Sequence, residues 1–150
     1  MPEFLQTTID KFTFEVATDR SYSPDGIWLQ DLGGGRVRVG VSDFVQQHSG
    51  DVAFVTVKAA GTALSAGDEF AELETVKVNL GLPLPIAGTL VEVNPALDAS
   101  PEVVNHNPYG DGWLAVIQAA AGDVERAGLL DPPAYLSVVQ SQAALELDRQ

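Results

Sequence analysis

Short hydrophobic runs alternate with glycine-containing turns through most of the chain, a pattern typical of antiparallel β-structure. Residues 27–29 and 36–39 are β-prone and flank Gly33-Gly34-Gly35, which predicts a hairpin. A phosphate-binding glycine loop would need a helix directly after the glycines, whereas a strand is expected to follow here. Further strands are predicted at 52–57, 69–73, 76–82, 90–93 and 113–117.

Two internal segments carry helix signals. Ser42 precedes an acidic residue and an apolar run that stops at Gly50, which predicts a capped helix over residues 43–48. The order Ser100-Pro101-Glu102 predicts a second helix start, running into Val104.

Both ends of the chain are expected to pack on the β body. Asp131 before Pro132 predicts a C-terminal helix, with a packing face at three- and four-residue spacing that comprises Tyr135, Val138, Val139 and Gln142. Aromatic residues at the other end favour a docked arm, namely Phe4, Phe12 and Phe14. We expect one mainly β, α+β domain with an arm at 1–21, a β core at 22–118 and a helical segment at 123–150.

Composition narrows the possible functions. The 150 residues include 8 Lys and Arg against 21 Asp and Glu, for a net charge of −13, and no cysteine. The chain therefore offers no thiol nucleophile, Fe–S ligand or CxxC redox pair. Its acidity argues against nucleic acid and anionic membranes as partners, since both are bound through Lys and Arg. We expect a cytoplasmic protein, because we find neither a signal peptide nor an apolar run of about 20 residues.

No conventional active site is visible. His48 and His106 lie far apart without metal-ligand spacing, so a capping or surface role is expected for each, and no metal site is predicted. No serine has the Gly-x-Ser-x-Gly setting of a hydrolase nucleophile. We therefore expect a protein that is not itself an enzyme.

Lysine is rare, and one lysine has an unusual setting. The chain has only Lys11, Lys58 and Lys77. By alternation alone, residues 72–80 form one continuous strand. One face of that strand would carry Thr75, Lys77 and Asn79, and the other Val76, Val78 and Leu80. On this interpretation Lys77 is an ordinary exposed strand residue.

The sequence around Lys77 resembles a known family. Glu74-Thr75-Val76-Lys77 is similar to the Glu-Ser-Val-Lys lipoylation motif of the glycine cleavage H proteins. The resemblance runs in unbroken order from about Tyr22 to Tyr135. It is carried before the lysine by Val39-Gly40-Val41-Ser42-Asp43-Phe44, Gly50-Asp51-Val52-Ala53-Phe54-Val55 and Gly67-Asp68-Glu69-Phe70, and after it by Ala87-Gly88-Thr89-Leu90-Val91-Glu92-Val93-Asn94, Ser100-Pro101-Glu102-Val103-Val104-Asn105 and Asn107-Pro108-Tyr109-Gly110-Asp111-Gly112-Trp113.

The resemblance implies a barrel-sandwich hybrid of the lipoyl and biotinyl type, with the modified lysine at a tight hairpin turn. It thus conflicts with the continuous strand. It also implies lipoic acid as a covalent cofactor, in amide linkage to Lys77, attached by a lipoate ligase or transferase that recognises the flanking residues Glu74, Thr75, Val76 and Val78. Biotin carriers share this fold, but their lysine is typically flanked by methionines, whereas Lys77 has valines on both sides. Lipoyl is therefore favoured over biotinyl.

Two departures from the family pattern bear on the pathway. Within Tyr22-Ser23-Pro24-Asp25-Gly26-Ile27-Trp28, the position that is usually histidine holds Gly26, and the lysine is followed by Val78-Asn79-Leu80 where the family has small residues. In both features the chain resembles the lipoate-binding proteins of the heterodisulfide-reductase-like sulfur-oxidation system. This resemblance implies a heterodisulfide-reductase-like complex and dihydrolipoamide dehydrogenase as partners.

Two alternatives remain open at this point. The chain could be a glycine cleavage H protein that carries the aminomethyl group between the glycine cleavage components. It could also be an H-like domain that is never lipoylated and serves as a binding module.

Overall fold

The computed structural model of the protein describes residues 3–119 and 128–148. The strands are β1 (Phe4–Ile9), β2 (Phe12–Ala17), β3 (Ser21–Tyr22), β4 (Ile27–Gly33), β5 (Arg36–Val41), β6 (Val52–Val57), β7 (Ala63–Leu64), β8 (Glu69–Thr75), β9 (Asn79–Pro83), β10 (Gly88–Val93) and β11 (Ala115–Ala119). The helices are α1 (Asp43–Ser49), α2 (Ala96–Ala99), α3 (Val103–His106) and α4 (Pro132–Asp148). This mainly β architecture with a C-terminal helix confirms the predicted fold class.

The described strands form two sheets and a separate hairpin, with antiparallel pairing throughout. One sheet has the order β3-β4-β5-β11-β10-β7, and the other has the order β6-β8-β9. Strands β1 and β2 pair only with each other. The two sheets enclose the main core, to which the first contributes Val39 and Leu90 and the second contributes Phe70 and Leu73. This arrangement is of the barrel-sandwich type.

A second, smaller core holds the ends of the chain on the sheets. It contains Phe14 of β2, Phe44 of α1, and Tyr135, Val139 and Ala143 of α4. The expected packing face of the C-terminal helix is confirmed at Tyr135 and Val139, which are buried, while Val138 is half-buried. The prediction is wrong at Gln142, which is exposed. The buried positions of the helix are Tyr135, Val139 and Ala143, each four residues after the last.

Local capping signals were reliable for α1. The Ser42 side chain accepts a hydrogen bond from Val45 N at 3.3 Å, and Gly50 ends the helix at φ +88°. The expected helix start at Ser100 is wrong, because Ser100 closes α2 through Ser100 N to Ala96 O at 2.8 Å. The helix that follows begins at Val103 and has no side-chain cap.

The predicted continuous strand over residues 72–80 is wrong. Strand β8 ends at Thr75 and β9 begins at Asn79, with Leu73 opposite Leu80 and Glu74 opposite Asn79 in the antiparallel register. The turn implied by the family resemblance is therefore what the chain forms. The last predicted strand, 113–117, is shifted to Ala115–Ala119, because Trp113 lies in the preceding turn with its N–H bonded to Gly110 O at 3.1 Å.

The start of the C-terminal helical segment, predicted at residue 123, falls outside the described residues; within them α4 begins at Pro132. Its capping signal is confirmed, because Asp131 Oδ1 accepts a hydrogen bond from Ala134 N at 2.9 Å. Among the helices of residues 3–119 and 128–148, none has the length and apolar character needed to cross a membrane.

Candidate functional site

Thr75 organises the turn that carries Lys77. Its backbone N–H donates to Val78 O at 2.9 Å, which closes the hairpin. Its side-chain oxygen accepts from Lys77 N at 3.2 Å and from Val78 N at 3.0 Å, and the hydroxyl donates to Val78 O at 3.0 Å. A threonine hydroxyl thus supplies the bonds that hold this turn, which has no glycine at its tip.

The turn presents its side chains to solvent. Val76 is 79% exposed and Val78 is 46% exposed, and Lys77 between them is exposed as well. Phe54 of the neighbouring strand β6, opposite Glu74 in the register, is 65% exposed. An enzyme approaching Lys77 therefore meets an accessible lysine beside three exposed apolar side chains.

The unmodified lysine rests on the end of α1. Lys77 Nζ donates to the backbone carbonyl of His48 at 3.2 Å. The lysine stem also crosses Gly50, where an added Cβ would lie 3.0 Å from Lys77 Cδ. Because free carbonyls at a helix C-terminus carry partial negative charge, this position suits an ammonium group.

A cleft of about 170 Å³ opens beside the lysine. It lies between the β1–β2 hairpin, α1, α4 and the Lys77 turn, and its walls comprise Ile9, Phe12, Phe14, Phe44, Gln47, His48, Lys77, Ala143 and Glu146. The walls are mostly aromatic and aliphatic. The cleft can therefore accept an apolar group attached to the lysine.

A second cavity, of about 380 Å³, adjoins the first. The two share Phe44, His48 and Glu146. Pro24 and Asp25 of the N-terminal family-like segment, and Leu80 of β9, line the second cavity only. Leu80 is one of the bulky residues that follow the lysine, so this substitution shapes the cavity beside the candidate site.

Gly26 has a structural reason to be glycine. It is buried in the turn before β4 at φ +90°, a backbone conformation that L-residues rarely adopt. A Cβ there would lie 2.4 Å from Val45 Cγ2 and 2.9 Å from Tyr135 Oη. A histidine at this position would therefore require the turn and its neighbours to shift, so glycine suits the local packing.

Tyr22 and Tyr135 hold α4 over this region, and Tyr109 packs edge-on against Tyr22. Tyr135 Oη and Ser42 Oγ are 2.7 Å apart, and the rings of Tyr135 and Tyr22 stack with centroids 4.5 Å apart. Burial raises the pKa of Tyr135 to about 12, and burial also raises the pKa of Tyr22 and of Tyr109. All three side chains therefore stay protonated to higher pH than a solvent-exposed tyrosine does.

Most of the cleft could not be identified from the sequence. Glu74, Thr75, Val76 and Val78 do lie around Lys77, as the resemblance implied. His48, expected to have only a capping or surface role, instead places its carbonyl on the lysine and lines both cavities. The sequence gives no sign that Gln47 and Glu146 line a cleft, because only the folded chain brings residues 9–14, 44–48 and 143–146 together. The aromatic residues at 12 and 14, already assigned to a docked arm, were the one available signal.

Comparisons with known proteins agree with this architecture. A model of the family "Glycine cleavage H-protein" matches residues 20–142. The glycine cleavage system H protein of Mycolicibacterium smegmatis is 39% identical over 127 residues, covering 83% of this chain and 97% of that protein. The corresponding protein of Mycobacterium tuberculosis is 40% identical over 126 residues, covering 81% of this chain and 94% of that protein.

A solved structure supports the same assignment. The crystal structure of a glycine cleavage system H protein from Mycobacterium marinum superposes with a TM-score of 0.72 at 34% identity, covering 80% of this chain and 95% of that one. With residues 20–142 matched by the family model and relatives of 39–40% identity over most of its length, the chain belongs to the glycine cleavage H-protein family.

Proposed function

We propose that this protein is a carrier that bears lipoate in amide linkage on Lys77 and serves glycine cleavage. The observation that carries the proposal is the placement of Lys77 in an exposed, hydroxyl-braced β-turn, within the motif Glu74-Thr75-Val76-Lys77. Membership of the H-protein family supports a carrier role over a catalytic one.

The residues present fit the group. Lys77 is accessible to an attaching enzyme, and a cleft with mostly apolar walls lies beside it. Acylation would turn the ammonium into a neutral amide, so the charge attraction to the His48 carbonyl would be lost. When bound, lipoate supplies a dithiolane that opens to a dithiol and can carry a group or electrons.

The attaching enzyme would recognise the shape of the turn. Thr75 holds the backbone of Lys77 and Val78, while Val76 and Val78 form an apolar surface on either side of the lysine. Glu74 lies half-buried at the base of the turn. The net charge of −13 favours basic docking surfaces on the ligase or transferase and on later partners.

Glycine cleavage is supported as the pathway by relatives of 39–40% identity that are named glycine cleavage system H proteins. Gly26 is one of the two departures from the family pattern that resemble sulfur-oxidation proteins. The turn geometry accounts for Gly26 without any change of pathway. The partners proposed are therefore the glycine cleavage components, including dihydrolipoamide dehydrogenase.

Sulfur oxidation with a heterodisulfide-reductase-like complex is kept as a second candidate because of Leu80. This bulky residue lines the second cavity, which adjoins the cleft beside Lys77, at a position where the resemblance places small residues. A changed cavity is the feature expected if the cargo differs.

The experiment is a reconstitution with each set of partners. Lipoylated protein is offered to glycine cleavage components with glycine, and separately to a heterodisulfide-reductase-like complex with a reduced sulfur compound. Turnover with the first set alone is expected. Turnover only with the second would contradict the glycine cleavage assignment, and full activity of a Lys77→Arg variant would contradict the carrier role.

A further inference from the structure

The β1–β2 hairpin lies outside the part of the chain that matches the family. It spans Phe4–Ala17, whereas the family match begins at residue 20. Ile9 and Phe12, the last pair before the turn at the hairpin tip, both line the cleft beside Lys77, as does Phe14. The hairpin therefore adds a wall to this cleft that the family match does not include.

The wall is anchored to the rest of the molecule. Glu15 N donates to Asp43 Oδ2 at 2.9 Å, and Gln47 Nε2 donates to Thr13 O at 2.9 Å, so α1 holds β2 at two points. Tyr109 Oη donates to Glu15 O at 2.7 Å. These bonds, and the burial of Phe14 in the smaller core, fix the hairpin in place.

A row of packed aromatic rings, of which Phe14 and Phe44 are largely buried, leads from the hairpin tip to the end of α1. Ring centroids are 6.4 Å apart for Phe12 and Phe14, 5.3 Å for Phe14 and Phe44, and 5.6 Å for Phe44 and His48. The carbonyl of His48 is the atom on which Lys77 Nζ rests. A group extending from Lys77 toward the hairpin would meet aromatic faces along its path.

We propose that the β1–β2 hairpin is a docking wall for the acyl arm of Lys77, and that Phe12 holds the uncharged dithiolane ring at its end. This inference rests on the proposed lipoylation of Lys77. Divalent sulfur makes favourable contacts with aromatic rings. The volume is adequate, because a cavity of about 150 Å³ is enough to hold benzene, and this cleft is about 170 Å³.

The docked ring would be protected from reagents in solution. Phe12 stands at the open side of the cleft with 42% of its surface exposed, so removing its ring would uncover the dithiolane without opening the core. Phe4 offers a matched control, because it lies in the same hairpin with 41% exposure but does not line the cleft.

The experiment compares lipoylated wild type, Phe12→Ser, Phe12→Leu and Phe4→Ser. Intact mass first establishes that each protein carries one lipoyl group. Reduction by tris(2-carboxyethyl)phosphine is then followed as a gain of two hydrogens, with water supplying the oxygen of the phosphine oxide. Since sulfur–aromatic contacts are worth about 0.3–1.5 kcal/mol, Phe12→Ser should be reduced roughly two- to tenfold faster. Phe12→Leu should fall between, and Phe4→Ser should match wild type.

A second readout does not depend on reactivity. Ring resonances of Phe12 should shift between the unmodified and lipoylated proteins, while those of Phe4 should not. Equal reduction rates and unchanged Phe12 resonances in fully lipoylated protein would overturn the docking wall alone. Absence of the lipoyl group at the first step would instead contradict the proposed function.

Discussion

The side-chain oxygen of Thr75 accepts a hydrogen bond from the backbone N–H of Lys77 at 3.2 Å. The same oxygen forms hydrogen bonds with the backbone N–H and carbonyl of Val78, so one side chain holds the backbone of both Lys77 and Val78. The exposed lysine thus projects from a backbone that is held in a single shape. This relationship gives Thr75, the motif residue two positions before the lysine, a physical role.

Replacing Thr75 tests that role. Thr75→Val keeps the shape of the side chain but removes the hydroxyl, and should cost about 1 kcal/mol of unfolding free energy. It should also slow lipoyl attachment, because the turn no longer presents Lys77 in one conformation. Thr75→Ser retains the hydroxyl and should behave like wild type. Intact mass against time gives the attachment rate, and equal rates for the valine and serine variants would refute this role.

Val76 should be read directly by the attaching enzyme. It is 79% exposed, so Val76→Ser should leave the unfolding free energy within about 0.5 kcal/mol of wild type. Lipoyl attachment should nevertheless slow, through loss of an apolar contact. Leu32→Ser removes another exposed apolar side chain, in the β4–β5 hairpin, and is the control. Identical attachment kinetics for both variants would show that Val76 is not recognised.

Gly26 should be intolerant of any side chain. Gly26→Ala forces an L-residue into φ +90° and into contact with Val45 and Tyr135. The backbone strain alone costs roughly 1–3 kcal/mol, and the overpacking adds roughly 1–3 kcal/mol. Gly61→Ala has the same strain at φ +94° with nothing within 4 Å of its Cβ. Urea unfolding should show a clearly larger loss for Gly26→Ala, and equal losses would contradict the packing argument.

The buried tyrosines predict a loss of stability at high pH. Burial raises the pKa of Tyr135 from 10 to about 12, and it raises those of Tyr22 and Tyr109 as well. The folded state therefore retains protons that the unfolded state loses above pH 10. The tyrosine contribution to stability is complete below pH 10 and falls as the pH rises through 12.

Urea unfolding across that range, with tyrosinate absorbance as a second signal, measures the effect. Below pH 10, Tyr135→Phe should lower the unfolding free energy, because the hydrogen bond between Tyr135 and Ser42 is lost, and above pH 10 it should reduce the slope. Tyrosinate appearing in the folded protein near pH 10 would contradict the assigned burial.

Local chemistry made part of this fold predictable. The two ends of α1 were predictable from Ser42 and Gly50, because helix capping depends on residues within a few positions of the helix end. The pattern of apolar and polar residues does not predict the Lys77 turn. Val76 and Val78 alternate with polar residues as they would in a strand, and no glycine marks the point where the chain reverses. The Thr75 hydroxyl stabilises this turn without a glycine. Only the resemblance to H proteins predicted that the chain turns at Lys77.

The cleft could not have been predicted from local pattern. Its walls come from the hairpin, α1, the Lys77 turn and α4, and their meeting depends on long-range packing through the smaller core. Gly26 shows that a departure from a family motif can have a structural explanation as well as a functional one. Its positive φ and the short distances from an added Cβ to Val45 and Tyr135 favour glycine at this position.

The central claim is lipoylation of Lys77, and peptide mass spectrometry after reaction with lipoate and a competent ligase tests it most directly. The chain provides internal controls, since Lys11 and Lys58 are the other lysines. The account predicts one lipoyl group, located on Lys77, and none on a Lys77→Arg variant. Absence of the adduct with several ligase systems, or its location on Lys11 or Lys58, would contradict it.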